Sequence, residues 1–432
     1  MNKKLIKRLW LVLGLGMLFL MLGTMPAQAK IDGLIGITFN LTAKADYIST
    51  ADGGSYLIWG FANADVIGSR AQYPGPTLIV NQGDTVTINL TNRLSVPASI
   101  LFPGQSGVSA SGGNVGLLTQ EVPAYDGINN PVVTYTFVAS QPGTYTYYSG
   151  TNPDLQIEMG LIGVLIVRPY GYNPADMMTY KAYNHQDSEY RREYLFFLSE
   201  MDPTIHQGVE FGIPYDITAW WPVYWFINGR TAPDTMGPAN AFWLPTQPYN
   251  AMPATRPGEK VLLRIVGGGR DSHPYHTHGN HVRIIAKDGR LLSSAPGTGA
   301  DLSKMEFTVT SAPGQTVDAI FVWTGEKMGW DIYGHAPTDP LQPGEDPNDH
   351  GKPFPVVLPE LQNLTFGPWY SGSPFLGAGG TLPPGEGGLN PNAGFFFMWH
   401  SHNENEIINF NIFPGGMLTM AVVEAPWVEI ME

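Results

Sequence analysis

The chain has 432 residues, no cysteine, and a formal net charge of -14 from 23 basic and 37 acidic side chains. Absence of cysteine rules out disulfides, a lipid-modified N-terminal cysteine, covalent c-type haem and thiolate metal ligation, so stability has to come from burial, for which about 400 residues in two or three domains suffice. An acidic surface repels nucleic acid and anionic lipid, and attracts cations or a basic partner.

Residues 1-29 read as an export leader and not as part of the fold. Lys3, Lys4, Lys7 and Arg8 form a basic start, Trp10 to Leu22 an apolar core, and Ala27-Gln28-Ala29 a small-residue cleavage site. The apolar run is too short for an ordinary membrane span. Removing four positive and no negative charges takes the formal net charge from -14 to -18. The remaining chain is expected outside the cytoplasm, in the periplasm, at the cell surface or extracellular, with no nucleic-acid partner and no membrane contact beyond the leader.

From about Lys30 the apolar segments are short, β-branched or aromatic, and interrupted by some of the 51 glycines and 37 prolines. TLIVNQGDTVTINLTN (77-92), VVTYTFVAS (132-140) and KVLLRIVGG (260-268) alternate apolar and polar residues with period two. No long stretch has a helical period; the charged segment around Gln186 to Tyr194 is at best one short helix. The fold class is therefore all-β, built of β-sandwiches with Greek-key connections.

Three landmarks repeat in the same order, which implies two copies of one sandwich. PGPTLIVNQGDTVTINLTN is echoed by RPGEKVLLRIVGG, QPGTYTYYSG by PNAGFFFMWHSH, and GLIGVLIVRP by GGMLTMAVVEAP. The first copy is placed at 30-169, a Tyr-rich linker at 170-190, and the second copy at 191-432. A Pro- and Gly-rich insertion at about 325-392 separates the strand DAIFVW from FFFMWH, a length that marks a functional or unstructured loop. The aromatic runs TAWWPVYWF and FFFMW are expected to serve as core and interdomain packing.

Six of the ten histidines fall in HPYHTHGNH (273-281) and HSH (400-402). Residues i and i+2 of a strand share a face, so His276 with His278, and His400 with His402, each aim two imidazoles one way. On neighbouring strands the four would converge as a site for copper, zinc, iron or nickel, with His273 as a candidate fifth ligand. Asn403, Glu404, Asn405 and Glu406 follow directly and read first as an acidic exposed loop, the alternative being a mixed nitrogen and oxygen site suited to manganese, iron or zinc; Asp154 and Glu158 invite a similar reading in the first copy.

PGPTLIVNQGDTVTINLTNRL, PGTYTYYSG with MGLIGVLIV, WFINGRTAPDT, VLLRIVGGG with HPYHTHGNHVRIIAKDG, and HSHNE with FPGGM together resemble the multicopper oxidase family, in its order and over nearly the whole chain. Two copies resemble its two-domain, small laccase-like branch, with one cupredoxin-like sandwich per domain. The resemblance implies a mononuclear type 1 copper held by two histidines and a cysteine, and a three-copper cluster held by four H-x-H pairs. Carried over by position, His273 matches one type 1 histidine, Met417 the weak axial ligand and Glu406 the other histidine, while the cysteine position is Ser401. The second-copy pairs stand as His276/His278 and His400/His402; the first-copy pairs are replaced by Leu101 and Pro103 and by Tyr148 and Gly150.

A neutral serine hydroxyl cannot replace a soft thiolate, so no type 1 copper and no laccase activity are expected, and no catalytic residue is assigned. The expectation is one metal ion, copper before other divalent metals, on the remaining histidines. The alternatives are a metal-free structural or partner-binding envelope protein, and a copper-dependent oxidoreductase with an atypical site. The resemblance further implies a homotrimer, in which a cluster is shared between neighbouring chains; the acidic surface suits a cationic redox protein as partner, and the metal-free reading an envelope protein.

Overall fold

The structure is a computed structural model that describes residues 31-324, 331, 335-341, 345-353, 375-377, 380-381, 389-390, 394-424 and 428-430. Residues 1-29, read above as a leader, and most of the 325-392 insertion lie outside the described residues. None of the described helices is long and apolar enough to cross a membrane.

The period-two segments of the first copy become strands. They are β1 (Leu34–Ile35), β2 (Thr38–Ser49), β3 (Ser55–Asn63), β4 (Leu78–Asn81), β5 (Thr85–Asn92), β6 (Ser109–Ser111), β7 (Asn114–Val115), β8 (Gln120–Glu121), β9 (Val133–Val138), β10 (Gly143–Tyr148) and β11 (Ile162–Arg168). One sheet runs β3-β2-β5-β9-β6 and the other β1-β4-β11-β10, with β7 and β8 as a separate ribbon. Alternate side chains of both sheets meet between them: Leu41, Phe61, Val86, Ile88 and Tyr135 from one, Leu78, Tyr147, Leu165 and Val167 from the other. Burying each such aliphatic or aromatic side chain contributes roughly 1.5–3 kcal/mol before conformational entropy is subtracted.

The second copy continues with β12 (Arg192–Met201), β13 (Tyr224–Ile227), β14 (Ala254–Thr255), β15 (Val261–Gly267), β16 (His273–Thr277), β17 (Val282–Lys287), β18 (Arg290–Leu291), β19 (Lys304–Glu306), β20 (Thr308–Ser311) and β21 (Thr316–Phe321). Beyond the insertion follow β25 (Gly394–Ser401) and β26 (Leu418–Val423), while β22 (Phe375–Gly377), β23 (Gly380–Thr381) and β24 (Leu389–Asn390) lie within it. Its sheets run β13-β12-β15-β21-β17-β18 and β14-β26-β25-β16-β20. The pairing repeats that of the first copy. Parallel β2/β5 corresponds to β12/β15, antiparallel β5/β9 to β15/β21, antiparallel β10/β11 to β25/β26, and parallel β4/β11 to β14/β26.

The segment from Gln186 to Tyr194 is no more than marginally helical. That segment makes a single 3-10 turn at Gln186–Ser188 and then enters β12, where Tyr194, Phe196 and Leu198 alternate into the core. Two short helices form elsewhere, α1 (Pro153–Glu158) and α2 (Pro203–Phe211). Signals for α2 were present: Asp202 caps it by accepting from Thr204 N–H, Pro203 opens it, and Gly212 at φ 64 ends it.

The sandwiches share a third core in which Ile79, Ile162, Val164 and Ile166 of the first pack on Leu195, Phe197, Phe226 and Val266 of the second. Beside it, Glu193 accepts from Arg168 of β11 and, at 3.0 Å, from Arg264 of β15, and all three side chains are buried. The Tyr-rich segment closes the outer side, with Tyr180, Tyr183 and Tyr190 buried against Ile285 and Ile320. Tyr183 donates to Asp318 at 2.5 Å.

Candidate metal centre

β16 and β25 are antiparallel neighbours in the register Tyr275 to Ser401, His276 to His400 and Thr277 to Trp399. In β25, Phe395, Phe397 and Trp399 point into the core. Alternation therefore sends Ser401 inward and His400 and His402 to the opposite face. In β16 the inward residues are His273, Tyr275 and Thr277, all fully buried, which leaves His276 and His278 on the face of His400.

His276, His278 and His400 come together with donor nitrogens within 4.8 Å of one another. Nε2 of His278 and Nε2 of His400 are 3.2 Å apart. Two imidazole nitrogens sharing a tetrahedral ion at about 2.0 Å would stand about 3.3 Å apart, so the spacing fits a copper or zinc ion. The tautomers fit as well: Nδ1 of His400 donates to the Ser401 carbonyl at 2.6 Å, which leaves Nε2 with its lone pair, and Nδ1 of His276 lies 2.9 Å from the Thr308 hydroxyl on β20. Burial, followed by His400 and His402, pushes the His276 pKa down to about 4. Burial also lowers that of His400. Neutral imidazoles are the form that binds a metal. His402 packs edge-on against His276 with ring centroids 4.8 Å apart, but stays at the exposed rim outside the close group of three.

His273 lies outside this close group of three. Strand parity places it on the inner face, and both ring nitrogens are taken by carboxylates: Nε2 faces Glu200 at 2.8 Å and Nδ1 faces Glu406 at 3.0 Å. Burial alone would lower its pKa, but Glu200 and then Glu406 raise it from 6.5 to about 9. At neutral pH His273 is an imidazolium between two buried carboxylates. Glu406 is thereby turned away from the outer imidazoles and does not give them an oxygen ligand; Asn403 donates to its other oxygen at 3.0 Å. Glu200, on β12, carried no signal of its own in the sequence.

Ser401 shares this inner pocket only as a turn former. Its amide donates to Met417 O at 3.0 Å and its hydroxyl accepts from Asn403 N–H at 3.2 Å. Ser149 does the same at the matching place in the first copy, donating to Leu161 O at 3.0 Å and accepting from Thr151 N–H at 3.0 Å. The outer positions correspond too: Leu101 and Tyr148 form a backbone bridge as His276 and His400 do, with no nitrogen donor in either side chain. Glu158 also turns inward, accepting from Asp202 N–H and Trp220 Nε1, and burial pushes its pKa up to about 7.

The sequence pattern of the multicopper oxidase family matches residues 54–171. An iron transport multicopper oxidase of Epichloe festucae is 29% identical over 55% of this chain and 34% of its own length. Copper resistance protein A of Pseudomonas syringae pv. tomato is 24% identical over 60% of this chain and 44% of its length. The chain thus spans about a third to under a half of these relatives. Among solved structures, the multicopper oxidase mgLAC superposes with a TM-score of 0.55 at 20% identity, covering 91% of this chain and 88% of that one, a likeness of fold.

Proposed function

We propose that this chain, a cupredoxin-fold protein of the multicopper oxidase family, is an exported copper-binding protein that holds one ion on His276, His278 and His400, with His402 at the rim. The observation that carries this reading is the convergence of three imidazoles with donor nitrogens within 4.8 Å of one another, where donation from His400 Nδ1 to the Ser401 carbonyl leaves the His400 Nε2 lone pair directed at the group. Copper so held would supply Lewis acidity or one-electron chemistry. The protein's own part is to bury His276 and His400 so that their protonation is disfavoured, fix the His400 tautomer, and hold β16 and β25 in register.

The inner pocket supports the absence of laccase-type turnover. In place of a thiolate it offers a serine hydroxyl engaged in a turn, and its imidazole is protonated between Glu200 and Glu406. A cationic ring has no lone pair for a metal. Export rests on the leader read in residues 1-29.

The test is a titration of the purified chain with Cu(II) and Cu(I) beside His278→Ala/His400→Ala. One equivalent lost in the variant, with no oxygen uptake on phenolic, Fe(II) or Mn(II) substrates, is expected. Equal binding by both proteins would overturn the site, and oxygen uptake after copper loading would overturn the absence of oxidase turnover.

A further inference from the structure

A second set of donors lies where the chain leaves β21 for the insertion. Asp331, His335, Glu345 and His350 each bring one donor atom to a common point, all within 4.8 Å of one another. Nδ1 of His335 is 3.2 Å from Asp331 Oδ2 and 3.1 Å from Glu345 Oε1; Nδ1 of His350 is 2.6 Å from the same Glu345 oxygen and 3.9 Å from the Asp331 oxygen. The side chains are sheltered, from 0% exposure for Asp331 to 12% for His350.

The orientation of His350 decides what this group can hold. Its Nε2 lies 2.9 Å from the carbonyl oxygen of Asp339, which only accepts, so Nε2 carries the hydrogen. In the neutral form of the ring the Nδ1 lone pair faces a carboxylate oxygen at 2.6 Å. Two acceptors that close need a positive centre, either a proton or a metal ion. A ring N–H held by a carbonyl is how ligating imidazoles are commonly oriented. Asp331 is held as firmly: its Oδ2 accepts from the amides of His335 at 3.2 Å and Gly351 at 3.0 Å. Gly351 has φ 70, and a Cβ there would meet Pro337 Cα at 2.6 Å, so glycine lets the turn close on the carboxylate.

We propose that Asp331, His335, Glu345 and His350 form a second metal site, separate from the imidazoles of β16 and β25, for a divalent transition ion of the zinc class. Two imidazoles with two carboxylates suit such an ion better than soft Cu(I), which prefers sulfur, or Ca(II) and Mg(II), which prefer all-oxygen shells. The ion ties Asp331 to His350 and fixes the path by which the insertion departs from the second sandwich. The site does not depend on copper binding at His276.

The experiment titrates the metal-free full-length chain with Zn(II) by calorimetry, alongside His278→Ala/His400→Ala, His335→Ala/His350→Ala and Glu345→Gln, with limited proteolysis in parallel. The His278→Ala/His400→Ala protein should keep one equivalent and show slower cleavage between residues 331 and 353 when zinc is present. His335→Ala/His350→Ala should lose that equivalent, and Glu345→Gln, which keeps the side-chain shape should the double variant not fold, should bind about 10–100-fold more weakly. Zinc binding unchanged in the last two proteins, or no equivalent in His278→Ala/His400→Ala, overturns the proposal. So does an unperturbed His350 imidazolium NMR signal throughout the titration, which would mark a cluster bridged by a proton alone.

Discussion

At the scale of single residues, His273 shows how a buried position can change its chemistry while keeping its identity. Its pKa is about 9 against an ordinary 6.5. A raised pKa on a base means the folded state binds more protons, so the stabilisation is fully present below about pH 6.5 and is lost as pH rises through about 9. Urea unfolding should therefore show a lower midpoint at pH 10 than at pH 6, and His273→Ala should lose this slope. The same variant leaves Glu200 and Glu406 buried without a cation, and should cost about 3–5 kcal/mol at pH 7. Ser401→Cys alone should give no intense visible charge-transfer band with Cu(II), because His273 remains an imidazolium. Adding Glu406→His removes one carboxylate and supplies a ring, and only that double variant is expected to develop the band.

Strands carry the outer site, and they were the most legible part of the sequence. Period-two alternation in FFFMWHSH and HPYHTH was enough to assign His276, His278, His400 and His402 to one face. The same parity already placed His273 apart from them, since residue 273 is odd where 276 and 278 are even. Pairing partners were not legible: nothing local announces that Thr308 on β20 would face His276 at 2.9 Å, or that Glu200 on β12 would meet His273. Those contacts depend on sheet order, which is set by packing across long sequence separations. Helix α2 was overlooked because nine residues show too few turns for a period, although its caps could be read. A specific consequence belongs at this scale: Thr308→Val should weaken copper binding about 10–100-fold while leaving stoichiometry unchanged, as losing a partner that orients an imidazole does elsewhere. Isothermal titration of the variant checks it.

For the molecule as a whole, the sandwiches are bound by a shared apolar layer and by the Arg168, Glu193 and Arg264 cluster. Buried charges of this kind are costly to unpair. Glu193→Gln should destabilise the protein by several kcal/mol and split calorimetric unfolding into two transitions, whereas the parent should melt as one unit. Duplication of the sandwich was visible in the three repeated landmarks, but the clasp was not, because its members come from segments with no sequence likeness to each other. The insertion illustrates the opposite limit: its composition announced a loop, and only the placement of Asp331, His335, Glu345 and His350 brought a donor set out of it.

The exposed turn at Gly171, just past β11, gives the shared layer a practical meaning. Once the two halves have found each other, the peptide link between them does little of the holding. A polypeptide cut there should behave as a pair of complementing fragments, each marginal alone and co-purifying when expressed together. Such fragments would allow the two copies to be labelled, mutated or exchanged separately and then reassembled into one working body.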